Sequence, residues 1–270
     1  MVDSVKGNGS ILSGCDNIVD KFFGKPKTGY KTRTTYLRRG LEKGTGDACK
    51  LLRSLDKQME ENWKRRTRDK PPSKENWRWE QRPDYKSCER GPEVPLEREI
   101  VKAMGEDWAN QIPTSSGLID EDHDRARNID LVHRSGPCEY TFFELKWESN
   151  TPIYAAIEIL LRGSIYMFAR RHSREPAAVR CDVSKVPMLT AKAVHLRVLA
   201  PHQFYHKKGI SLAWLEEKLH AGLSNFVKDR QDLRMDFGFL MFPECFNESA
   251  IKNPEKIKTA MAGLLPAYGT

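Results

Sequence analysis

The chain predicts an α/β fold, a central sheet flanked by helices, with a basic and partly helical extension at its N-terminal side. Three observations predict it. Residues 127–147, RNIDLVHRSGPCEYTFFELKW, alternate as two short strands around a Ser-Gly-Pro turn. The following stretch, TPIYAAIEILLRGSIYMFARR, is apolar on nearly every side, as a helix sandwiched in a core is. Beyond it, strand-like and helix-like patterns alternate towards the C-terminus.

A chain of 270 residues accommodates one sizeable core with appendages, or two small domains. A single body with an elaborated N-terminus is expected, divided into a basic extension over 1–90 and an α/β domain over 91–270. The first dozen residues, MVDSVKGNGSIL, carry turn formers without periodicity, so fraying is expected there. From Ala48 to Trp63, apolar residues at Leu51, Leu52, Leu55, Met59 and Trp63 give an amphipathic helix. Lys64 to Gly91, rich in proline and charge, reads as a long surface connection.

Pro95 then precedes LEREIVKAMGEDWANQI, which reads as one helix entering the sheet. At about 100° per residue, Ile100, Met104 and Trp108 fall within about 120° of Leu96, and Glu97 lies inside that apolar arc. Glu99 and Glu106 fall outside it, on the solvated side. Glu97 is therefore the acid this helix turns inward, unless it is simply a first-turn glutamate favoured by the helix dipole.

After the hairpin, Thr151 as N-cap and Pro152 at the first helical position open the apolar helix. Tyr154, Glu158, Arg162 and Tyr166 recur every four residues along it and form one polar stripe. Arg162 on such a stripe is suited to holding a phosphate, and a plain Glu158–Arg162 ion pair is the alternative. AVHLRVLAP then reads as a strand, SLAWLEEKLHAGLSNFVKDR as a helix, MDFGFLMFP as a strand, and Pro254 to about Leu264 as a closing helix.

The chemistry concentrates in the hairpin. Side chains on a strand alternate between faces, so Glu144 and Lys146 share one face while Phe143, Leu145 and Trp147 share the other. On the partner strand Asp130 points away from Ile129 and Leu131. Two carboxylates and an ammonium in an apolar hairpin are costly to bury unless they pair or hold a cation. A hard cation such as Mg²⁺ takes oxygen ligands and commonly uses one or two carboxylates. A neighbouring lysine can orient or activate a water and neutralise charge on a phosphate. The acid-x-Lys tripeptide recurs at Asp84-Tyr85-Lys86 and Glu216-Glu217-Lys218, but only Glu144-Leu145-Lys146 lies on an apolar strand with an upstream aspartate. The plain alternative is a cross-strand ion pair at a sheet edge.

The order of a helix with Glu97, a strand with Asp130, a strand with Glu144-Leu145-Lys146 and then a long helix resembles the PD-(D/E)XK nuclease superfamily. The resemblance covers residues 93 to about 200 and rests on few letters. It implies a restriction-endonuclease-like core with a mixed sheet between helices. It also implies Asp130, Glu144, Glu97 and the Leu145 carbonyl as metal ligands, with Lys146 serving the water. Tyr154, Glu158 and Arg162 take the place of the polar residues some members keep on the following helix for substrate. Ile129 stands where the family pattern has proline. The implied activity is Mg²⁺-dependent hydrolysis of phosphodiester bonds, as an endonuclease acting on DNA or RNA, with Mn²⁺ able to substitute, the 3′ oxygen leaving and a 5′ phosphate remaining. A nucleic-acid-binding or assembly protein that keeps the fold without cleaving is the competing expectation.

Charge distribution agrees with a phosphate-rich partner, DNA first among them. Of the formal +8, residues 1–90 contribute 22 Lys and Arg against 13 Asp and Glu, and residues 91–270 contribute 23 against 24. The excess lies in the first third, the usual footprint of sequence-independent phosphate contacts. Trp63, Trp77, Trp79 and Tyr85, set among these cations, can stack on bases or pack onto the core, and for Trp77 and Trp79 packing is the favoured expectation.

Other chemistry has less support. Asp120, Glu121, Asp122, His123 and Asp124 read as a solvated turn. His202 and His206 lack the glutamate of a zinc protease motif. Neither a phosphate loop nor a Gly-x-Ser-x-Gly elbow occurs. Six scattered cysteines indicate neither a zinc site nor a disulfide frame. No run of about 18 uninterrupted apolar residues and no secretion signal are seen, so a cytoplasmic protein without a membrane span is expected. A homodimer or a larger complex stays open.

Overall fold

Asp47 opens the long N-terminal helix because its side chain accepts the Lys50 N–H at 2.8 Å, and the helix runs Ala48–Lys64 (α2). A shorter helix, Cys15–Phe22 (α1), packs beside it. These elements belong to a computed structural model that describes residues 9–24, 41–66, 70–84, 91–119, 127–180, 186–206, 210–229 and 232–268. Ile11 and Leu12, where fraying was expected, are buried with Leu51, Leu55, Met59 and Trp63 in the main apolar cluster. Most of the basic run 30–43, Tyr85 and the acidic cluster 120–124 lie outside the described residues.

Six strands form one mixed sheet in chain order: β1 (Trp108–Pro113), β2 (Asn128–Gly136), β3 (Glu139–Leu145), β4 (Ala193–Pro201), β5 (Arg234–Phe242) and β6 (Leu265–Pro266). The first three run antiparallel to one another, β4 and β5 follow β3 in parallel, and β6 closes antiparallel to β5. The parallel step from β3 to β4 is carried by the apolar helix Pro152–Arg171 (α4), as a crossover requires. Thr151 caps this helix, accepting the Tyr154 N–H at 3.2 Å. By length and composition α4 is apolar enough to cross a bilayer, but 89% of its most apolar window is buried inside the protein.

Alternation along the strands sorts the core into two layers. Val132, Phe142, Leu196 and Val198 face α4, α2 and the helix Ala213–Val227 (α5). Leu131, Phe143, Leu145 and Leu199 face the other way, onto the helices Glu93–Met104 (α3) and Pro254–Ala262 (α6).

The helix expected from Leu96 through the Trp108 segment divides in two. It ends at Met104, with Gly105 at φ 82° carrying the chain out of helical geometry, and Trp108 begins β1. Such a φ is open to glycine without steric cost. Beside it, residues 70–84 do more than connect elements across the surface. Their backbone lies along the outer edge of β1, where Trp77 N–H donates to Pro113 O at 2.8 Å and Arg82 N–H to the Asn110 side chain at 2.8 Å. Trp77 is buried and meets Tyr166 of α4 edge to face at 5.8 Å, so it packs instead of offering a ring to a base. Trp63 is likewise buried, under the Arg66 guanidinium and against Phe168.

Helix α2 joins this body through a close helix crossing. A Cβ at Gly222 of α5 would stand 2.5 Å from the Ala48 Cβ and 3.0 Å from its carbonyl carbon, with no flexible side chain to yield. Gly222→Ala is therefore expected to cost about 1–3 kcal/mol of stability, measured by urea unfolding; an unchanged midpoint would show that the crossing is looser than the structure has it.

Candidate active site

The pairing of Leu131 with Phe143 sets Asp130 opposite Glu144, and the pairing of Asn110 with Leu131 and Ile112 with Ile129 sets Gln111 on the other side of Asp130. Three polar residues thus form a row across β1, β2 and β3. Asp130 is anchored by its Oδ2, which accepts the Leu145 N–H at 2.9 Å. Glu97 reaches the row from α3 and is buried, as the sequence predicts.

Lys146 stands just past the end of β3. Its N–H donates to Leu199 O at 3.0 Å, which extends the parallel pairing with β4 and fixes the backbone. Its Nζ contacts Glu144 Oε1 at 2.7 Å and Glu158 Oε2 of α4 at 3.1 Å, with the lysine side chain only 9% exposed. From the opposite side Glu93, in the first turn of α3, accepts the Trp147 N–H at 2.9 Å and the Ser149 hydroxyl at 2.6 Å. The segment carrying Lys146 is therefore held by β4 and by α3.

Burial pushes the Asp130 carboxyl well above the ordinary aspartate range, and the neighbouring charges of Glu144 and Glu97 push it further; Lys146 and the Leu145 N–H oppose them without prevailing. Burial together with Glu144 brings Glu158 up to about 7 against the pull of Lys146 and Arg162. Burial also disfavours the charge on Lys146, but Glu144, Glu158 and Asp130 more than offset it, so the ammonium is held above the ordinary lysine range. Tyr154 is pushed up to about 12 by burial and by Glu158. These mutual effects show that the groups crowd one another.

Asp130 thus stands opposite Glu144, Lys146 contacts Glu144 and Glu158, and Glu97 acts on Asp130 from α3, with Tyr154 beside Glu158 on the α4 stripe. Arg162 is not paired with Glu158 directly; its Nε donates to Asn128 O at 2.9 Å. Sequence reasoning passes over Gln111 and Asn128. Gln111 Nε2 donates to Glu97 Oε2 at 2.7 Å, and Asn128 Nδ2 donates to Gln111 Oε1 at 2.9 Å. Gln111 also takes φ 52°, a left-handed conformation uncommon for a residue with a Cβ. Its one signal, a place in a strand beside the acids, is hidden while 96–112 reads as helix.

The donors of Glu97, Asp130 and Glu144 are all oxygens, the set a hard divalent cation prefers. Among the described residues no three His, Cys, Asp or Glu form a ready cage for a metal ion. Glu144 gives an oxygen to Lys146 and Glu97 gives one to Gln111. A second charged cluster crosses β4 and β5, where His195 Nδ1 meets Asp236 Oδ2 at 2.7 Å and Arg197 pairs with the same carboxylate. Its two carboxylates, Asp236 and Glu139, engage opposite nitrogens of the imidazole, so the cluster braces the strands without converging on a point.

The chain matches no protein-family model, no curated protein and no solved structure.

An acid whose pKa is raised by folding costs stability when it ionises, so the cost of Asp130 grows as pH rises above its unfolded value near 3.8. Asp130→Asn keeps an oxygen for the Leu145 N–H and removes the charge. Without metal it is expected to be more stable than the parent at pH 7–8, and to lose that advantage as pH falls towards 4. Thermal melts across this pH range check it, and a difference that does not vary with pH would contradict the crowding of the acids.

Proposed function

We propose that the chain is a metal-dependent nuclease of the PD-(D/E)XK type, hydrolysing phosphodiester bonds in DNA or RNA with Mg²⁺ as cofactor and Mn²⁺ as a substitute. The observation that carries this reading is Asp130 set opposite Glu144 on paired strands, with Glu97 near enough on α3 for its charge to raise Asp130, beside the Lys146 ammonium. The element order supports it as well: a helix, three antiparallel strands, a crossover helix and a parallel fourth strand.

Glu97, Asp130 and Glu144 would hold the cation, which when bound supplies charge to activate a water and to neutralise a phosphate. The residues of the chain do the rest. Because its neighbours hold Lys146 protonated, the lysine acts as a fixed positive charge that orients the water and stabilises charge developing on phosphorus-bound oxygen. Glu158 fixes the position of that ammonium from α4. Arg162, aligned by Asn128 O, is suited to a substrate phosphate. The basic excess of residues 1–90 would add affinity for the nucleic-acid backbone that is independent of sequence and weakened by salt.

A second reading, a nucleic-acid-binding or assembly protein on the same fold, draws on a different observation. Both carboxylates next to Lys146 are engaged by it, and the described residues hold no ready metal cage. One experiment separates the two readings: incubation of supercoiled DNA, linear DNA and RNA with Mg²⁺ or Mn²⁺, beside EDTA and a Lys146→Ala variant. The nuclease reading expects cleavage that EDTA abolishes and that Lys146→Ala lowers by about 100-fold or more, the usual scale for removing one charge-stabilising donor. Equal cleavage by the variant would mean a contaminating enzyme, and binding without cleavage under every condition would favour the second reading.

A further inference from the structure

We propose that Gln111 is a positioning residue of this site, one that aims the Glu97 carboxylate at the divalent cation and ties it to Arg162. This rests on the nuclease reading. Two side-chain hydrogen bonds in series carry the argument, Gln111 Nε2 to Glu97 Oε2 at 2.7 Å and Asn128 Nδ2 to Gln111 Oε1 at 2.9 Å, and the backbone carbonyl of the same Asn128 accepts from Arg162 Nε at 2.9 Å. The chain runs from an acid of the proposed metal site to the arginine proposed for phosphate.

Each link has a direction. The Gln111 amide has one oxygen and one NH₂, and Asn128 presents an NH₂ to the oxygen. The Gln111 NH₂ must then face Glu97, because the reversed amide would set its oxygen against a carboxylate and its NH₂ against another NH₂. Asn128 thus fixes the orientation of Gln111, and Gln111 engages one oxygen of Glu97. Glu97 is also one of the acids whose charge raises Asp130.

The backbone supports the same role. Gln111 lies in the row with Asp130 and Glu144, in a strand whose other residues follow regular pairing, yet it alone there takes φ 52°. A residue with a Cβ is held in that region only where its surroundings fix it. The amide is also buried, 8% exposed, so water does not replace its bonds. Groups behind a metal ligand that fix its orientation typically govern metal affinity by 10–100-fold.

The test uses the full-length protein and Mn²⁺ alone, titrated calorimetrically, with metal-free melting measured on the same samples. Gln111→Ala is expected to raise the Mn²⁺ dissociation constant by about 10–100-fold. Asn128→Ala, which leaves Gln111 in place and the Asn128 carbonyl available to Arg162, is expected to raise it by less and in the same direction. A purely structural role for the amide lowers the metal-free melting temperature and leaves the dissociation constant unchanged, and that result in both variants overturns the proposal. Should Gln111→Ala fail to fold, Asn128→Ala decides alone. Wild-type protein that takes up no Mn²⁺ removes the nuclease reading and this inference with it. Wild-type protein that binds Mn²⁺ and cleaves, beside variants with its own affinity, removes this inference only.

Discussion

The ion pairs of Lys146 with Glu144 and Glu158 hold together a region of the core that would otherwise repel itself. Four carboxyl groups gather there, from α3, β2, β3 and α4, and Lys146 is the cation set among them. Removing a charge from water costs several kcal/mol even after the surroundings relax. Among the described residues the Lys146 ammonium, with Arg162 acting on Glu158, does not offset the acids. The excess appears as carboxyl groups shifted upward: Asp130 well above its ordinary range and Glu158 up to about 7. A group of this kind favours added positive charge, and the proposed chemistry draws on that. It also explains why the Lys146 backbone is so firmly held, by Leu199 O on one side and through Glu93 and Trp147 on the other. The compensating charge must stay in place whether or not the acids are ionised.

Much of this region is legible in the sequence because strand alternation is a strict rule. Ile129, Asp130 and Leu131, and then Phe143 through Trp147, assign their faces without knowledge of the partner strands. The Thr151-Pro152 cap, the α4 core and the inward turn of Glu97 are legible for similar local reasons. The segment between α3 and β2 is not. Leu96, Ile100, Met104, Trp108 and Ile112 recur every four residues, so a helical period runs on through a strand by coincidence. Only Gly105 marks the break, and a lone glycine in a helical pattern is weak punctuation. The misreading conceals β1, and with it Gln111. Nor does local pattern reveal that Trp77 leaves a run of charged residues to pack on Tyr166, since that contact joins positions far apart in the chain.

The N-terminal segment is built into the body. Its helix α2 buries Leu51, Leu52, Leu55, Met59 and Trp63 in the same cluster as α4 and α5. Its acids Asp56 and Glu60 meet Arg171 at 2.6 and 3.3 Å, at the far end of α4 from Glu158. The exposed cations of α2, such as Lys50, Arg53 and Lys57, therefore ride on a rigid surface with a set position relative to α4. A backbone contact made through them would fix the register of a bound nucleic acid, where a flexible tail would contribute charge without register.

The left-handed φ at Gln111 needs support from both sides of β1, and the fold supplies it. On the outer edge, Arg82 and Asn110 exchange hydrogen bonds, Asn110 accepting at 2.8 Å and donating at 3.1 Å, immediately before the strained residue. Gln81 grips the Gly105 and Trp108 carbonyls just upstream, at 2.6 and 3.0 Å. On the inner edge, β2 resumes regular pairing at Ile112 and Ile129. The same outer segment carries Trp77, itself at φ 63° and wedged against α4. Strain of this kind costs on the order of 1–3 kcal/mol and persists only where packing over-determines it. The edge of β1 that faces away from the acids is thus part of what holds Glu97 among them. A change at Trp77 or Asn110 would reach the site through the geometry of Gln111, with no contact to any carboxylate.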